Sequence, residues 1–209
     1  GECSHQCKYC YVQKMERRFG GGAYNGPIWL EDKEFLVNYG KDKTIFVEHC
    51  SDMFAADVPK SWIEKILDHC NEWPVNHYVF QTKNPRRFLG FLDQLPPKVL
   101  LGCTIETTSS DVAGQVSKAP PPRERYVVMK GLRSREYKVF ITIEPILQRS
   151  MSELAFWCAS ISPEFVNIGA DSKGAGLNEP SSREITNLIQ SLQRAGVPIN
   201  QKTNLERLL

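Results

Sequence analysis

Long apolar runs are absent from this sequence. No stretch approaches the roughly 20 apolar residues that a membrane-spanning helix needs, and no signal peptide is visible. Both absences favour a protein of the reducing cytoplasm. Internal repeats and low-complexity segments are also missing, so we expect a single domain over residues 1–209 with a substantial apolar core.

An excess of charge of one sign is missing as well. The 26 Lys and Arg residues nearly balance the 24 Asp and Glu residues, which leaves a net charge of +2. This balance neither establishes nor excludes a nucleic-acid partner. The function therefore has to be inferred from particular residues.

Cysteine is sparse but concentrated. Seven cysteines in 209 residues is an odd, low count, unlike a small domain held together by disulfides. Cys3, Cys7 and Cys10 stand together in the run CSHQCKYCY. Three thiolates can hold three irons of a cubane cluster and leave the fourth iron open. Electron-carrier clusters are usually closed by four thiolates, so an open iron indicates a site that binds a ligand.

Zinc is the main alternative occupant of this cysteine run. Cys and His at short spacing bind zinc well, and His5 lies inside the same run. Zinc usually takes four ligands from two spaced pairs, and the sequence lacks a second C-x-x-C or an H-x-x-x-H. The spacing therefore favours an iron–sulfur cluster, with zinc or plain structural thiols as the other possibilities.

Short apolar runs alternate with amphipathic segments along the chain. This alternation predicts parallel strands joined by helical crossovers, and six strands fit an α/β fold of the partial (β/α)6-barrel type. Residues 109–137 give no clear pattern because three consecutive prolines interrupt them. Strands are predicted at 44–49, 77–82, 99–106, 138–144, 165–170 and 197–202, and helices at 59–70, 85–95, 151–161 and 182–196.

Polar side chains end or follow every predicted strand. Chemistry in α/β sheets collects at the carboxyl ends of the strands, and strand alternation places Thr104 and Glu106 on one face. We therefore expect a polar pocket at one rim, although solvated turns would give the same composition. Its candidate residues are Ser51, Asp52, Lys83, Thr104, Glu106, Glu144 and Asp171, the last of which opens the Gly-rich segment DSKGAG.

The cysteine run closed by Tyr11 resembles the radical S-adenosylmethionine (SAM) superfamily. The resemblance implies a [4Fe–4S] cluster on Cys3, Cys7 and Cys10, with SAM on the open iron. Reduction by a partner such as flavodoxin or ferredoxin then yields a 5′-deoxyadenosyl radical. In that fold a strand precedes the cysteine run, and only two residues precede Cys3 here. We therefore expect the first strand upstream of Gly1.

Two groups of that superfamily resemble this chain at several further points, up to about residue 107. They are spore photoproduct lyase and a set of phage and bacterial proteins. The segments CKYCYVQ, EHCSDMFAADV, FQTK and GCTIETT carry the likeness, and ITIEP and NIGADSKG resemble the phage group. The resemblance implies that Cys50 donates a hydrogen atom to a product radical. It also implies that Ser51, Lys83 and Thr104 contact SAM.

Other cofactor contacts follow less directly from the resemblance. The superfamily's Gly-Gly-Glu segment is missing, so Asp52, Glu106 or Glu144 are the candidates for the SAM ammonium group. Tyr9 and Tyr11 flank Cys10, where they pack on the cluster or relay a radical. Asp171 and its Gly-rich segment are candidates for the adenosine.

The substrate is indicated by the lyase resemblance and by two basic groups. Cations contact phosphates and aromatics stack on bases, so a nucleobase in DNA is expected, thymine or a modified thymine, for repair or modification. Radical chemistry on a peptide or small metabolite is the alternative, and a cluster or zinc module without SAM chemistry is another. The basic groups are Lys83, Arg86 and Arg87, and then Arg123, Arg125, Lys130, Arg133, Arg135 and Lys138 with Tyr126 and Tyr137 between them.

Overall fold

The computed structural model describes residues 1–19, 26–47 and 50–209. Within them, six parallel strands form one sheet in chain order, curved into a half-barrel with helices on its outer face. The expected partial α/β barrel is confirmed. The strands are β1 (Thr44–Phe46), β2 (His77–Thr82), β3 (Val99–Thr104), β4 (Val139–Ile143), β5 (Val166–Ile168) and β6 (Ile199–Gln201).

Helices make the crossovers between the strands. Short 3-10 helices cover Asp32–Leu36, Pro85–Gly90, Leu92–Gln94 and Thr203–Leu208. None of the helices in the described ranges is long and apolar enough to cross a membrane. The α-helices are α1 (Tyr11–Phe19), α2 (Lys60–Asn71), α3 (Ser110–Val116), α4 (Pro122–Arg133), α5 (Met151–Ile161) and α6 (Ser182–Arg194).

The outer face of the sheet is apolar and forms the core with the helices. Leu101, Cys103, Ile141 and Ile143 are completely buried there. Each fully buried Leu or Ile side chain contributes about 1.5–3 kcal/mol relative to an exposed one. Alternation along the strand therefore leaves Gly102, Thr104 and Thr142 on the inner face.

The inner face has an aromatic base. A Cβ atom at Gly102 would lie 2.1 Å from the ring of Phe140, so glycine is required for that ring to cover the strand. Phe140 also stacks on Phe165 at 5.1 Å between centroids. Apolar rings thus fill one end of the half-barrel, and polar side chains follow toward the carboxyl ends of the strands.

Several predicted elements differ from the observed ones, among them the strands expected over 165–170 and 197–202, which are observed as Val166–Ile168 and Ile199–Gln201. The helix expected over 85–95 is two 3-10 helices, because Pro85 starts a short turn and Gly90 ends it. The strand expected over 44–49 is observed only as Thr44–Phe46, and positions 48–49 lie outside the described residues. The unclear stretch 109–137 contains α3 and α4, separated by the prolines.

The start of α6 follows its sequence closely. The Ser181 side chain accepts a hydrogen bond from the Glu184 backbone N–H at 3.4 Å, and the Glu184 carboxylate accepts one from the Ser181 N–H at 2.8 Å. This capping box satisfies backbone donors that a helix start otherwise leaves unpaired.

Candidate functional site

The three cysteines of the opening run lie on one anchored loop, residues 3–10, which we call the cysteine loop. Each of Cys3, Cys7 and Cys10 is half-buried. Two turns shape the loop: the Gln6 N–H donates to the Cys3 carbonyl at 3.1 Å, and the Cys10 N–H donates to the Cys7 carbonyl at 3.0 Å. Gln6 has a φ of 43°, in the left-handed region, which reverses the chain between the first two cysteines.

Three of the four remaining cysteines are buried, whereas those of the cysteine loop are half-buried. Cys70, Cys103 and Cys158 are buried in the apolar core, and burial raises the pKa of each to about 12. Burial also raises the pKa of Cys3 to about 12, with smaller contributions from Asp52, Cys7 and Cys10. All seven cysteines lie in the described part of the chain, and none forms a disulfide.

The donor set of the cysteine loop fits an iron–sulfur cluster. Partly exposed thiols on one loop are accessible to metal, and thiolates are the usual ligands of such clusters. Among the described residues, no three His, Cys, Asp or Glu side chains stand arranged as a metal-binding group. This finding includes Cys3, Cys7 and Cys10, so the fit of the cysteine loop to a cluster rests on the identity, spacing and exposure of its thiols.

A buried charge network lies beside the cysteine loop at the carboxyl end of β3. Glu106 and Arg125 are completely buried, and Arg125 Nη1 donates to Glu106 Oε2 at 2.7 Å. The Tyr9 hydroxyl donates to Glu106 Oε1 at 2.9 Å, and Lys83 Nζ lies 3.4 Å from the same oxygen. Burial alone would raise the pKa of Glu106, but Lys83 and Arg125 lower it from 4.5 to about 2.

Lys83 and Tyr9 connect this network to the cysteine loop. Lys83 Nζ donates to the Tyr9 hydroxyl at 2.6 Å, and its side chain is 13% exposed. Burial, Glu106 and Cys7 raise the pKa of Tyr9 well above its usual range, so the phenol keeps its proton. The structure therefore brings Tyr9, Lys83 and Glu106 together, and the ammonium of Lys83 is held at the rim.

Asp52 has a different setting from Glu106. Its Oδ2 accepts hydrogen bonds from His5 Nε2 at 2.8 Å, Thr82 Oγ1 at 2.9 Å and the Lys83 N–H at 2.9 Å. Its Oδ1 accepts from the Phe54 N–H at 3.0 Å. Burial would raise the pKa of Asp52, but these hydrogen bonds and the nearby His5 hold it below the usual value.

The remaining residues near β1 and the cysteine loop are placed as follows. Cys50 and Ser51 are half-buried and directly precede Asp52 at the carboxyl edge of the sheet. Tyr11 is also half-buried and is the first residue of α1. Their predicted roles remain predictions.

A row of uncharged polar side chains crosses the inner face of the sheet. Thr104, Thr142, Asn167 and Asn200 are successive cross-strand neighbours from β3 to β6. Asn200 Nδ2 donates to Asn167 Oδ1 at 3.2 Å, and Asn167 Nδ2 donates to Thr142 Oγ1 at 3.3 Å. Gln81 Nε2 donates to Thr104 Oγ1 at 3.0 Å. Amide and hydroxyl groups thus line the face between the aromatic base and the charged rim.

Glu144 and Asp171 lie at the same rim but in the segments that follow β4 and β5. Lys202 Nζ lies 2.5 Å from Glu144 Oε2, and Asn204 Nδ2 donates to Glu144 Oε1 at 2.8 Å. Asp171 accepts hydrogen bonds from the backbone N–H groups of Lys173 and Ala175, so it shapes its own Gly-rich segment. The structure places both residues among partners of the second half of the sheet.

The prediction that the second basic group forms a contact surface is wrong for two of its residues. Arg125 is fully buried, and Tyr126 is 9% exposed and stacks on Trp157 at 4.7 Å between centroids. The sequence carried a signal for this, because Arg125, Met129 and Leu132 fall at the i, i+4, i+7 spacing of one buried helix face. The sequence analysis also did not predict the contact between His5 and Asp52, because no local pattern in either segment indicates it.

Comparisons with known proteins agree with this architecture. A family model described as "Protein of unknown function (DUF5131)" matches residues 1–154. The comparison with curated protein sequences finds no match. SuiB from Streptococcus suis, solved with bound S-adenosylmethionine, is similar with a TM-score of 0.60 at 13% identity over 96% of this chain and 48% of SuiB.

Spore photoproduct lyase has a similar structure as well. A mutant of the lyase with dinucleoside spore photoproduct gives a TM-score of 0.63 at 15% identity, over 96% of this chain and 74% of the lyase. Another mutant, with bound AdoMet and the same dinucleoside, gives 0.55 at 15% identity, over 92% of this chain and 59% of the lyase. This chain spans about half the length of SuiB, the structure described first. The fold expected from the resemblance is therefore confirmed, since it is shared with the structures of SuiB and of spore photoproduct lyase.

Proposed function

The chain belongs to the family described as "Protein of unknown function (DUF5131)", and we propose that it is a radical SAM enzyme. The observation that carries the proposal is the anchored loop of three partly exposed thiols beside Tyr9, Lys83 and Glu106. Cys3, Cys7 and Cys10 hold a [4Fe–4S] cluster. Such a cluster, when bound and reduced, would supply the one electron that cleaves SAM to methionine and a 5′-deoxyadenosyl radical.

The rim residues bind SAM in this proposal. Lys83 meets the SAM carboxylate, since an ammonium group is a suitable partner for a carboxylate. The Nζ atom of Lys83 is held at the rim by the Tyr9 hydroxyl at 2.6 Å and by Glu106 Oε1 at 3.4 Å. Ser51 and Thr104 supply hydroxyl groups, and Glu144 and Asp171 supply carboxylates on the other half of the sheet. Asp52 contributes through the cysteine loop, because its oxygens already accept four hydrogen bonds from the protein.

A nucleobase in DNA, thymine or a modified thymine, is the proposed substrate. Two observations support it. The row of amide and hydroxyl groups on the inner face suits a neutral, hydrogen-bonding ring better than a charged group. The similar lyase structures contain a dinucleoside photoproduct. Cys50, half-buried at the carboxyl edge of the sheet, is the proposed hydrogen donor to the product radical.

An anaerobic assay tests the cleavage reaction. The protein is reconstituted with iron and sulfide, reduced with dithionite and given SAM, and 5′-deoxyadenosine is measured. We expect product from the wild-type protein and from Cys158→Ala, whose thiol is buried in the core. Cys3→Ala, Cys7→Ala and Cys10→Ala should form none. Absence of product from the wild type, with no change of the cluster's EPR signal on adding SAM, would refute the proposal.

The substrate is tested separately with unlabelled SAM and candidate oligonucleotides that carry deuterium on thymine or a modified thymine. Appearance of the deuterium in 5′-deoxyadenosine is the expected result, because the radical abstracts a hydrogen atom from the base. Formation of 5′-deoxyadenosine without deuterium from any oligonucleotide would reject the nucleobase and leave the SAM chemistry standing. An unchanged product profile and rate in Cys50→Ala would reject the hydrogen-donor role.

A further inference from the structure

We propose that Asp52 is a positioning residue that, through His5, fixes the cysteine loop at the carboxyl edge of the sheet before a cluster is bound. The inference rests on the proposed function, because it concerns the loop that would hold the cluster. It assigns to Asp52 and His5 a task distinct from binding SAM.

Asp52 is saturated by protein donors from several parts of the chain. It is 7% exposed, and its two oxygens accept from His5, Phe54, Thr82 and the backbone of Lys83. The last three donors come from the segment after β1, from the last residue of β2 and from the residue after it, so they fix the carboxylate relative to the sheet. The remaining donor, the His5 ring, belongs to the cysteine loop.

His5 is buried in the middle of the cysteine loop. Its residue exposure is 4%, and Nε2 donates to Asp52 Oδ2 at 2.8 Å. His5 lies two positions after Cys3 and two before Cys7, inside the turn that the hydrogen bond from the Gln6 N–H to the Cys3 carbonyl closes. The position of its ring therefore governs where the loop lies against the sheet.

A second anchor holds the backbone of the same loop from the opposite side. The carbonyl of His5 accepts from the Lys118 N–H at 2.7 Å and from the Ser117 hydroxyl at 3.2 Å. The Lys8 N–H donates to the Val116 carbonyl at 2.8 Å, and Cys7 Sγ lies 3.2 Å from Ser117 Oγ. His5 is thus the residue where both anchors meet, with its ring on Asp52 and its carbonyl on the segment after α3.

The energetic argument concerns the cost of ordering a loop. A loop that must be fixed when its ligand binds loses conformational freedom at that moment, and a loop fixed in advance does not. Partners that orient metal ligands typically change metal affinity by about 10- to 100-fold when they are removed. We therefore expect loss of the His5–Asp52 hydrogen bond to weaken iron retention by about this factor.

The test uses two variants of His5, one variant of Asp52 and matched controls. His5→Leu removes the donor, and His5→Gln keeps an amide donor. Asp52→Asn removes the charge and keeps the shape. His77→Leu and Asp68→Asn are the controls, since both residues are exposed. Iron and sulfide per chain are measured after anaerobic reconstitution and chelator challenge, and hydrogen exchange of residues 3–10 and the thermal midpoint are measured on the metal-free protein.

We expect faster exchange in the cysteine loop and about 10- to 100-fold weaker iron retention in His5→Leu and Asp52→Asn. Exchange in β2 and β3 should be unchanged, and His5→Gln should recover part of the loss. Iron retention equal to that of the wild type would overturn the proposal, and so would losses that merely follow a fall of the thermal midpoint. A wild-type protein that takes up no iron would overturn the proposed function together with this inference.

Discussion

Glu106→Gln should destabilise this protein strongly. Glu106 and Arg125 are both completely buried, and their side chains meet at 2.7 Å. Glutamine keeps the shape of the side chain and removes its charge, while arginine cannot lose its proton in a protein. The variant therefore leaves a buried cation without its counter-ion, beside a second cation, Lys83, whose side chain is only 13% exposed.

The magnitude follows from the burial of the pair. Breaking a buried ion pair by removing one partner typically costs about 3–5 kcal/mol. A natural domain has a total free energy of unfolding of about 5–15 kcal/mol, so this loss is a large share of it. The exposed pair Lys60–Glu64, with side chains 67% and 35% exposed, is the matched control. Glu64→Gln should change the free energy by no more than about 0.5 kcal/mol.

Urea denaturation of the metal-free protein measures both variants, and the pH dependence gives a second check. The folded pKa of Glu106 is about 2 against an ordinary value of 4.5. The stabilisation from its charged form is therefore fully present above that ordinary value and is lost as the pH falls toward 2. The difference between wild type and Glu106→Gln should shrink in the same range.

The complementary variant should behave differently. In Arg125→Met the buried carboxyl group loses one of its two cationic partners and keeps Lys83, so its pKa rises toward the ordinary value. That variant should therefore lose less stability than the wild type as the pH falls from 4.5 toward 2. The double variant should be less destabilised than the sum of the two single changes. Additive single effects, or a loss below about 1 kcal/mol in Glu106→Gln, would refute this reasoning.

Further predictions concern the sheet and the helix start. Gly102→Ala should cost about 1–3 kcal/mol of unfolding free energy, because the new Cβ would lie 2.1 Å from the Phe140 ring. Gly114→Ala, with open space around its Cβ site in α3, should instead stabilise by about 0.5–1 kcal/mol; equal effects of the two changes in urea denaturation would contradict this account. Ser181→Ala removes the α6 cap and should cost about 1 kcal/mol, measured by thermal unfolding, and no change would show that the cap contributes nothing.

Local sequence patterns were sufficient to predict the sheet. Strands such as β3 and β4 are short runs of apolar and β-branched residues, and the sheet buries both of their faces, so composition alone marks them. The rim was predictable for a similar reason, because parallel strands bring their carboxyl ends to one edge. Lys83 and Glu106 were thus expected at one rim, and they lie 3.4 Å apart.

Contacts between distant segments were not predictable in the same way. Arg125 was expected in a basic surface group, whereas it is buried against Glu106. A charged side chain is stable in a core only when it is paired with an opposite charge there, and the sequence does not show that pairing. His5 meets Asp52 across 47 positions of the chain, and nothing in either segment shows it. Such pairs depend on the curvature of the whole sheet, which a single sequence does not display.

The anchors of the cysteine loop have a consequence for the order of folding. The loop precedes its anchors by 47 positions at Asp52 and by 112 between Ser117 and His5. It leaves the ribosome long before them, so it cannot take its shape until β1 to β3 and the segment after α3 are in place. Under the proposed function, insertion of a cluster into the formed loop would therefore be a late event in the maturation of this protein, after most of the sheet has formed.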